Sequence, residues 1–152
     1  MELEEGIRAP LFIFIKSRSR KDGLETYRVK VIDDHPESFA NGSMKFVNLT
    51  QGGLYLIVGQ DQEVKKSMKP GGHINHQLPE GFKGNLPVKM ALKNAKGMVP
   101  AMNSRVFPSR STRDLYFIWP VLTNTKGNKI RITTLRERGD VAKQRLSSER
   151  VE

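Results

Sequence analysis

The sequence has no cysteine among its 152 residues, and this absence excludes disulfide bonds, thiol nucleophiles and zinc–thiolate sites. Long apolar runs are absent as well. The longest run, residues 9–15, is far shorter than the roughly 20 residues that a membrane-spanning helix needs. Acidic residues precede this run and the basic segment KSRSRK follows it, an order that does not match a signal peptide. We therefore expect Leu11 to Ile15 to form a buried strand.

Apolar residues are scarce, since hydrophobic residues make up 37% of the chain and charged residues 28%. The length still suits one domain with a real core. We expect a single domain over residues 1–139, with a thin core and long polar edges. Residues 140–152 carry few apolar side chains, so we expect a polar C-terminal tail that is frayed or disordered.

Helical periodicity is also missing, because no long window repeats its apolar residues at the helical period of about 3.6 residues. Strand alternation takes its place: Val88, Met90 and Leu92 alternate with Lys89 and Lys93. The 13 glycines and 8 prolines divide the chain at intervals close to the spacing of about 8–12 residues typical of sandwiches and barrels. These patterns predict an all-β fold. We expect a two-layer antiparallel β-sandwich, immunoglobulin-like or jelly-roll-like, of about eight to ten strands.

Three strand features are specific enough to test. The apolar runs MKFVNLT and GLYLIVG are joined by QGG at residues 51–53, which predicts a tight hairpin. The segment from Leu115 to Trp119 is apolar on both faces, as in a central strand of a two-layer structure. A closing strand follows, in which Ile130 and Ile132 are expected to point inward.

Two of the three histidines lie in the segment KPGGHINHQLP, residues 69–79, at a spacing that suggests a metal site. In a strand, residues three apart point to opposite faces. His76 is then expected to share the inner face with Ile74 and Leu78, whereas His73 points outward. Two ligands on opposite faces cannot bind one metal ion. We interpret residues 70–72 as the turn into this strand.

The third histidine, His35, lies beside Asp33, Asp34 and Glu37. Such a cluster could supply oxygen ligands or an acid–base pair, but aspartates before a proline are also common in turns because of local hydrogen bonds. The sequence contains no phosphate-binding loop and no nucleophile elbow. We therefore expect no cofactor, no metal and no catalytic activity.

Basic residues dominate the charge, with a formal net charge of +10 and a pI near 10.0. Such a charge attracts polyanions, although a solvated basic surface without a dedicated partner has the same composition. Two clusters supply the candidate polyanion-binding residues: Lys16, Arg18, Arg20, Lys21, Arg105, Arg110 and Arg113.

Nucleic-acid binding would be favoured by aromatic residues interleaved with the basic face, where bases could stack. The sequence instead places its aromatic residues in apolar runs, where core packing explains them better: Phe12, Phe14, Phe46, Tyr55, Tyr116, Phe117 and Trp119. Nucleic-acid binding is therefore an alternative hypothesis. A lectin-like carbohydrate-binding domain is a further alternative, against which the expected burial of the only tryptophan counts.

From residue 26 to about residue 136 the order of features resembles a family of uncharacterised bacterial proteins that are predicted to be exported. The resemblance is carried by the segments YRVKVIDDHPESFANGSMKFVNLT, LYLIVG, MKPGG, LPVKMAL, SRVFPSRSTRDLYFIWP and IRITTL. It implies an all-β fold and a periplasmic or extracellular location, and it assigns no activity and no site residues. Members of the family look longer at the N-terminus, with an export signal and further strands.

Together these features favour a non-catalytic β-sandwich module of the bacterial cell envelope or periplasm. We expect it to bind or assemble with another macromolecule, either a polyanion or an envelope protein, through its basic loops. Pairing at a strand edge is a second expected mode of binding. An enzyme or metal protein that uses Asp33, Asp34, His35, His73 or His76 is a further minority hypothesis.

Overall fold

The computed structural model describes residues 5–21, 24–59, 64–94, 97–121 and 129–138, with the side chains of residues 17–21, 25 and 94 left out. Within these ranges no helix is long and apolar enough to cross a membrane. The predicted tail at 140–152 and most of the loop at 124–129 lie outside the described residues. The described part of the chain forms ten strands: β1 (Pro10–Lys21), β2 (Leu24–Asp33), β3 (Ser43–Asn48), β4 (Leu54–Val58), β5 (Val64–Met68), β6 (His73–Gln77), β7 (Leu86–Asn94), β8 (Gly97–Val106), β9 (Thr112–Pro120) and β10 (Ile130–Arg138).

The chain divides into two compact units, Met1–Ala40 and Asn41–Glu152. In the first unit, β1 and β2 form an antiparallel two-stranded sheet. Ile13 is 8% exposed, whereas Phe12 and Phe14 are 40% and 65% exposed. The expectation of a buried strand from Leu11 to Ile15 is therefore wrong, because alternate side chains of a strand point to opposite faces and only one face is buried. The expected single domain over residues 1–139 stays a prediction.

The second unit is a sandwich of two four-stranded sheets. Sheet I has the strand order β10-β9-β3-β6 and sheet II the order β5-β4-β7-β8. All pairings within them are antiparallel except that of β3 with β9, which is parallel. Inward-facing residues of both sheets form one core, including Met44, Phe46, Tyr116 and Ile118 of sheet I and Leu54, Leu56, Val58, Val88, Met90 and Leu92 of sheet II. The predicted all-β sandwich is confirmed.

The connection between β3 and β4 corrects the predicted hairpin, because these strands belong to different sheets. Asn48 organises this crossing and is fully buried. Its Nδ2 donates to the carbonyl oxygens of Gly52, Met68 and Lys69, at 2.9, 3.4 and 3.2 Å. Its Oδ1 accepts hydrogen bonds from the N–H and the hydroxyl of Thr50 at 3.0 and 2.7 Å. The QGG segment therefore follows an asparagine-centred crossing between the sheets, which short-range sequence patterns did not reveal.

The predicted turn at residues 70–72 is confirmed. Gly71 has a φ of 73°, in the left-handed region that glycine adopts without steric cost. The N–H of Gly71 donates to the carbonyl oxygen of Asn48 at 2.8 Å. The N–H of Asn48 in turn donates to the carbonyl oxygen of Gly72 at 2.9 Å. In the strand that follows, His73 is exposed and His76 is half-buried, so the predicted separation of the two histidines is confirmed as well.

The predicted central strand is β9, which lies between β10 and β3. Leu115, Tyr116 and Ile118 are buried, as expected for a strand covered on both faces. Tyr116 stacks on Phe46 of the neighbouring strand, with ring centroids 4.8 Å apart. Ile130 and Ile132 of β10 pack against the core, as predicted.

Candidate functional site

The acidic cluster around His35 forms a hydrogen-bonded turn. Asp33 Oδ1 accepts hydrogen bonds from the N–H groups of Arg8 and Ala9 at 3.1 and 3.0 Å, and from that of His35 at 3.3 Å. Asp33 Oδ2 accepts a hydrogen bond from the hydroxyl of Ser38 at 2.6 Å. Burial opposes ionisation of this carboxyl, but the hydrogen bonds outweigh it and lower the pKa of Asp33 to about 2. Asp33 is thus suited to holding a turn, and it is a poor acid or base near neutral pH.

The histidines and acidic residues do not combine into a metal site within the described residues. Glu37 pairs with Arg8, whose hydrogen bond lowers the pKa of Glu37. Burial, followed by the charge of Lys66, lowers the pKa of His76. His73 lies on the opposite face of the same strand, so the two imidazoles have separate environments.

The structure removes Arg113 from the predicted basic surface. This residue is 4% exposed and lies directly opposite Glu137 across β9 and β10. Its Nε donates to Glu137 Oε2 at 2.9 Å, and its Nη2 contacts the same oxygen. The guanidinium is therefore committed to an internal ion pair and is inaccessible to a large anion.

The other predicted basic residues have different environments. Arg110 is exposed, and its Nη1 donates to the carbonyl oxygen of Pro79 at 3.3 Å. Arg105 is exposed and donates to Asn85 Oδ1 at 2.6 Å. Lys16 is exposed on β1. The remaining three of the basic cluster fall among side chains that the structure does not describe: Arg18, Arg20 and Lys21.

A basic surface that sequence reasoning missed lies on the outer face of sheet II, meaning the alternate residues that point away from the core. The strand registers arrange this face in rows. One row contains Lys65, Ile57, Lys89 and Asn103, and the next contains Ser67, Tyr55, Ala91 and Pro100. Beyond them, Lys93 pairs with Met98 at one end and Pro87 with Arg105 at the other.

The charge of this sheet is of one sign. Its four strands contain no aspartate or glutamate, whereas the strands of sheet I include Asp114 and Glu137. Asp61 and Glu63, in the connection between β4 and β5, lie outside the described residues. The outer face carries four exposed cationic side chains: Lys65, Lys89, Lys93 and Arg105.

Tyr55 lies within this basic face, which corrects its predicted place in the core. The core-facing residues of β4 are Leu54, Leu56 and Val58, so alternation directs Tyr55 outward. The ring is half-buried, and the residues directly opposite it on the neighbouring strands are Ser67 and Ala91. The alternating lysines of β7 signalled an exposed face, but the sequence did not show which strands adjoin it.

Comparison of the chain with protein-family models, with curated proteins and with solved structures found no match. The resemblance to exported bacterial β proteins accordingly stays an expectation. Function is therefore inferred from the side chains and charges of the outer face of sheet II.

Proposed function

We propose that this protein is a non-catalytic β-sandwich module that binds an anionic macromolecule through the outer face of sheet II. The observation that carries the proposal is the set of four exposed cations on a sheet whose strands contain no acidic residue. A surface of one sign attracts polyanions and raises their rate of association. A location in the bacterial cell envelope or periplasm is part of the proposal, and the family resemblance supports it.

The spacing of the cations suits a ligand with several charges. Lys65 and Lys89 flank Ile57 in one row, so two strand spacings, about 9–10 Å, separate their backbones. Lys89 and Lys93 lie four residues apart on β7, which corresponds to about 13 Å. A polyanion that crosses the face can therefore contact several of these cations at once, each through a different charged group.

The proposal places the main binding surface on the outer face of sheet II and not on the predicted basic loops. Arg113 of the predicted loop cluster is held by Glu137, and Arg110 lies outside the four strands of sheet II, between β8 and β9. Arg105, which the sequence already singled out, lies on the outer face beside Pro87. Only this last arginine of the cluster contributes to the proposed surface.

The experiment measures the binding of labelled heparin to the full chain by fluorescence anisotropy at about 50 and 200 mM salt. If all four cations contact the polyanion, the logarithm of the binding constant should fall with the logarithm of the salt concentration with a slope of about −3. The double variant Lys89→Glu with Lys93→Glu reverses two charges of the face. We expect it to weaken binding at least tenfold. The matched control reverses Lys83 and Arg131, which are exposed outside the face, and should weaken binding less than threefold. Equal losses in both variants, or no binding at low salt, would refute the proposal.

A further inference from the structure

We propose that the anionic macromolecule is a single-stranded nucleic acid, one base of which stacks on Tyr55 while its phosphates contact the flanking lysines. This inference rests on the proposed function of the outer face of sheet II and names its ligand class. It is carried by the position of the one aromatic side chain among the outward residues of this sheet.

The residues directly opposite Tyr55 on the two neighbouring strands have short side chains. Ser67 lies directly opposite on β5 and Ala91 directly opposite on β7. Directly opposite side chains in a sheet are the nearest neighbours, at about 5 Å between Cβ atoms. Because both neighbours are short, they leave room for a ligand beside the half-buried phenol ring. Pro100, the next residue in the row, lies on the edge strand β8. The row Ser67, Tyr55, Ala91 and Pro100 is thus an uncharged stripe across the sheet.

Cations border this stripe on both sides. Lys65 and Lys89 occupy the adjacent row, and Lys93 lies two residues beyond Ala91 in the other direction. Successive rows on one face of a sheet are about 6.6 Å apart, which a lysine side chain bridges readily. A base seated on Tyr55 therefore has cationic groups within reach of the phosphates on either side of its nucleotide.

A single strand fits this arrangement better than other polyanions do. Proteins that bind single strands combine a basic surface with aromatic rings on which bases stack. A duplex keeps its bases stacked internally and is read by an element that enters a groove, whereas the residues directly opposite Tyr55, Ser67 and Ala91, are short. A sulfated glycan would use the lysines and would leave the π-face of Tyr55 without a base to stack.

The test compares three fluorescent probes with the full chain at low salt: a single-stranded DNA of about 12 nucleotides, the same strand with abasic sites in place of its bases, and heparin. The abasic strand keeps every phosphate, so it isolates the contribution of stacking. We expect the base-bearing strand to bind about tenfold more tightly than the abasic strand. Tyr55→Leu should abolish this difference without changing the affinity for the abasic strand, and Tyr55→Phe should preserve it. Thermal unfolding establishes that each variant is folded.

The outcomes separate this inference from the proposed function. If the abasic strand and heparin bind as tightly as the base-bearing strand, the single-strand assignment is overturned while polyanion binding stands. If Tyr55→Leu weakens all probes equally, the ring acts through the structure and stacking is overturned. If no probe binds, both proposals fail.

Discussion

Asp114 and Arg136 face each other across β9 and β10, and the carboxylate accepts hydrogen bonds from Nε at 2.8 Å and from Nη2 at 2.7 Å. The next rung pairs Arg113 with Glu137, with the two charges exchanged between the strands. A slip of one residue in either direction would set Arg113 opposite another arginine, Arg136 or Arg138. Like charges directly opposite each other are destabilising, so these two ion pairs fix the register of the closing strand.

Removal of Arg136 is expected to destabilise the sandwich. Asp114 is 1% exposed and Arg136 is 48% exposed, so Arg136→Met leaves a buried carboxylate without its cation. We expect a loss of about 2–3 kcal/mol in the free energy of unfolding. Chemical denaturation followed by the fluorescence of the single tryptophan measures it.

Arg131→Met is the matched control, because it removes the same charge from an exposed position of the same strand. It should change stability by less than about 0.5 kcal/mol. If both variants were equally stable, the Asp114–Arg136 pair would have no role in holding β10.

Substitution of Asn48 is expected to destabilise the crossing between the two sheets of the sandwich. Asn48→Asp replaces the Nδ2 donor by a carboxylate oxygen that faces the carbonyls of Gly52 and Lys69. We expect a loss of more than about 3 kcal/mol, larger than that of Asn48→Ala. Asn103→Asp, at an exposed position of β8, is the control and should be nearly neutral. Equal stability of Asn48→Asp and Asn48→Ala would contradict the hydrogen-bond pattern.

His76 is expected to make stability depend on pH. Burial and the charge of Lys66 lower the pKa of His76 below its ordinary value of 6.5. As the pH falls below 6.5, the unfolded chain binds a proton at this site before the folded chain does, so stability decreases. The loss should not exceed about 1 kcal/mol, because the group is partly screened by solvent.

Denaturation midpoints at about pH 7.5 and pH 5.5 measure this effect. His76→Gln should remove most of the difference between the two midpoints. His73→Gln, which removes an exposed imidazole from the same strand, should retain it. If both variants kept the full pH dependence, another group would be responsible.

Substitution by glutamine is expected to weaken heparin binding at Arg105 and to lower stability at Arg113. Arg105→Gln removes an exposed cation from the outer face of sheet II and should weaken heparin binding severalfold with little effect on stability. Arg113→Gln breaks a buried ion pair. It should destabilise the fold by about 2 kcal/mol or more while heparin affinity of the folded protein changes less than twofold. Loss of heparin affinity in Arg113→Gln alone would support the loop surface instead.

The pattern of β7 was predictable because it is local. Val88, Met90 and Leu92 alternate with two lysines, and a strand must place such residues on opposite faces. The turn at Gly71 was predictable for the same reason. The crossing between β3 and β4 was not predictable. A short glycine-rich link between two apolar runs is compatible with a hairpin and equally with a crossing between sheets. Asn48 selects the crossing through contacts with the distant residues Met68 and Lys69.

The sequence by itself determined that this protein is an all-β, basic chain without thiol chemistry, since these properties follow from composition and from the two-residue period of strands. Only the tertiary structure decided which charges share one exposed face. Sheet assembly joins Lys65, Lys89 and Arg105 from three strands on one face and turns Tyr55 outward among them. It also pairs Arg113 with Glu137, 24 residues away. Which strands become neighbours depends on contacts between distant residues, and the period of each strand does not by itself specify its partners.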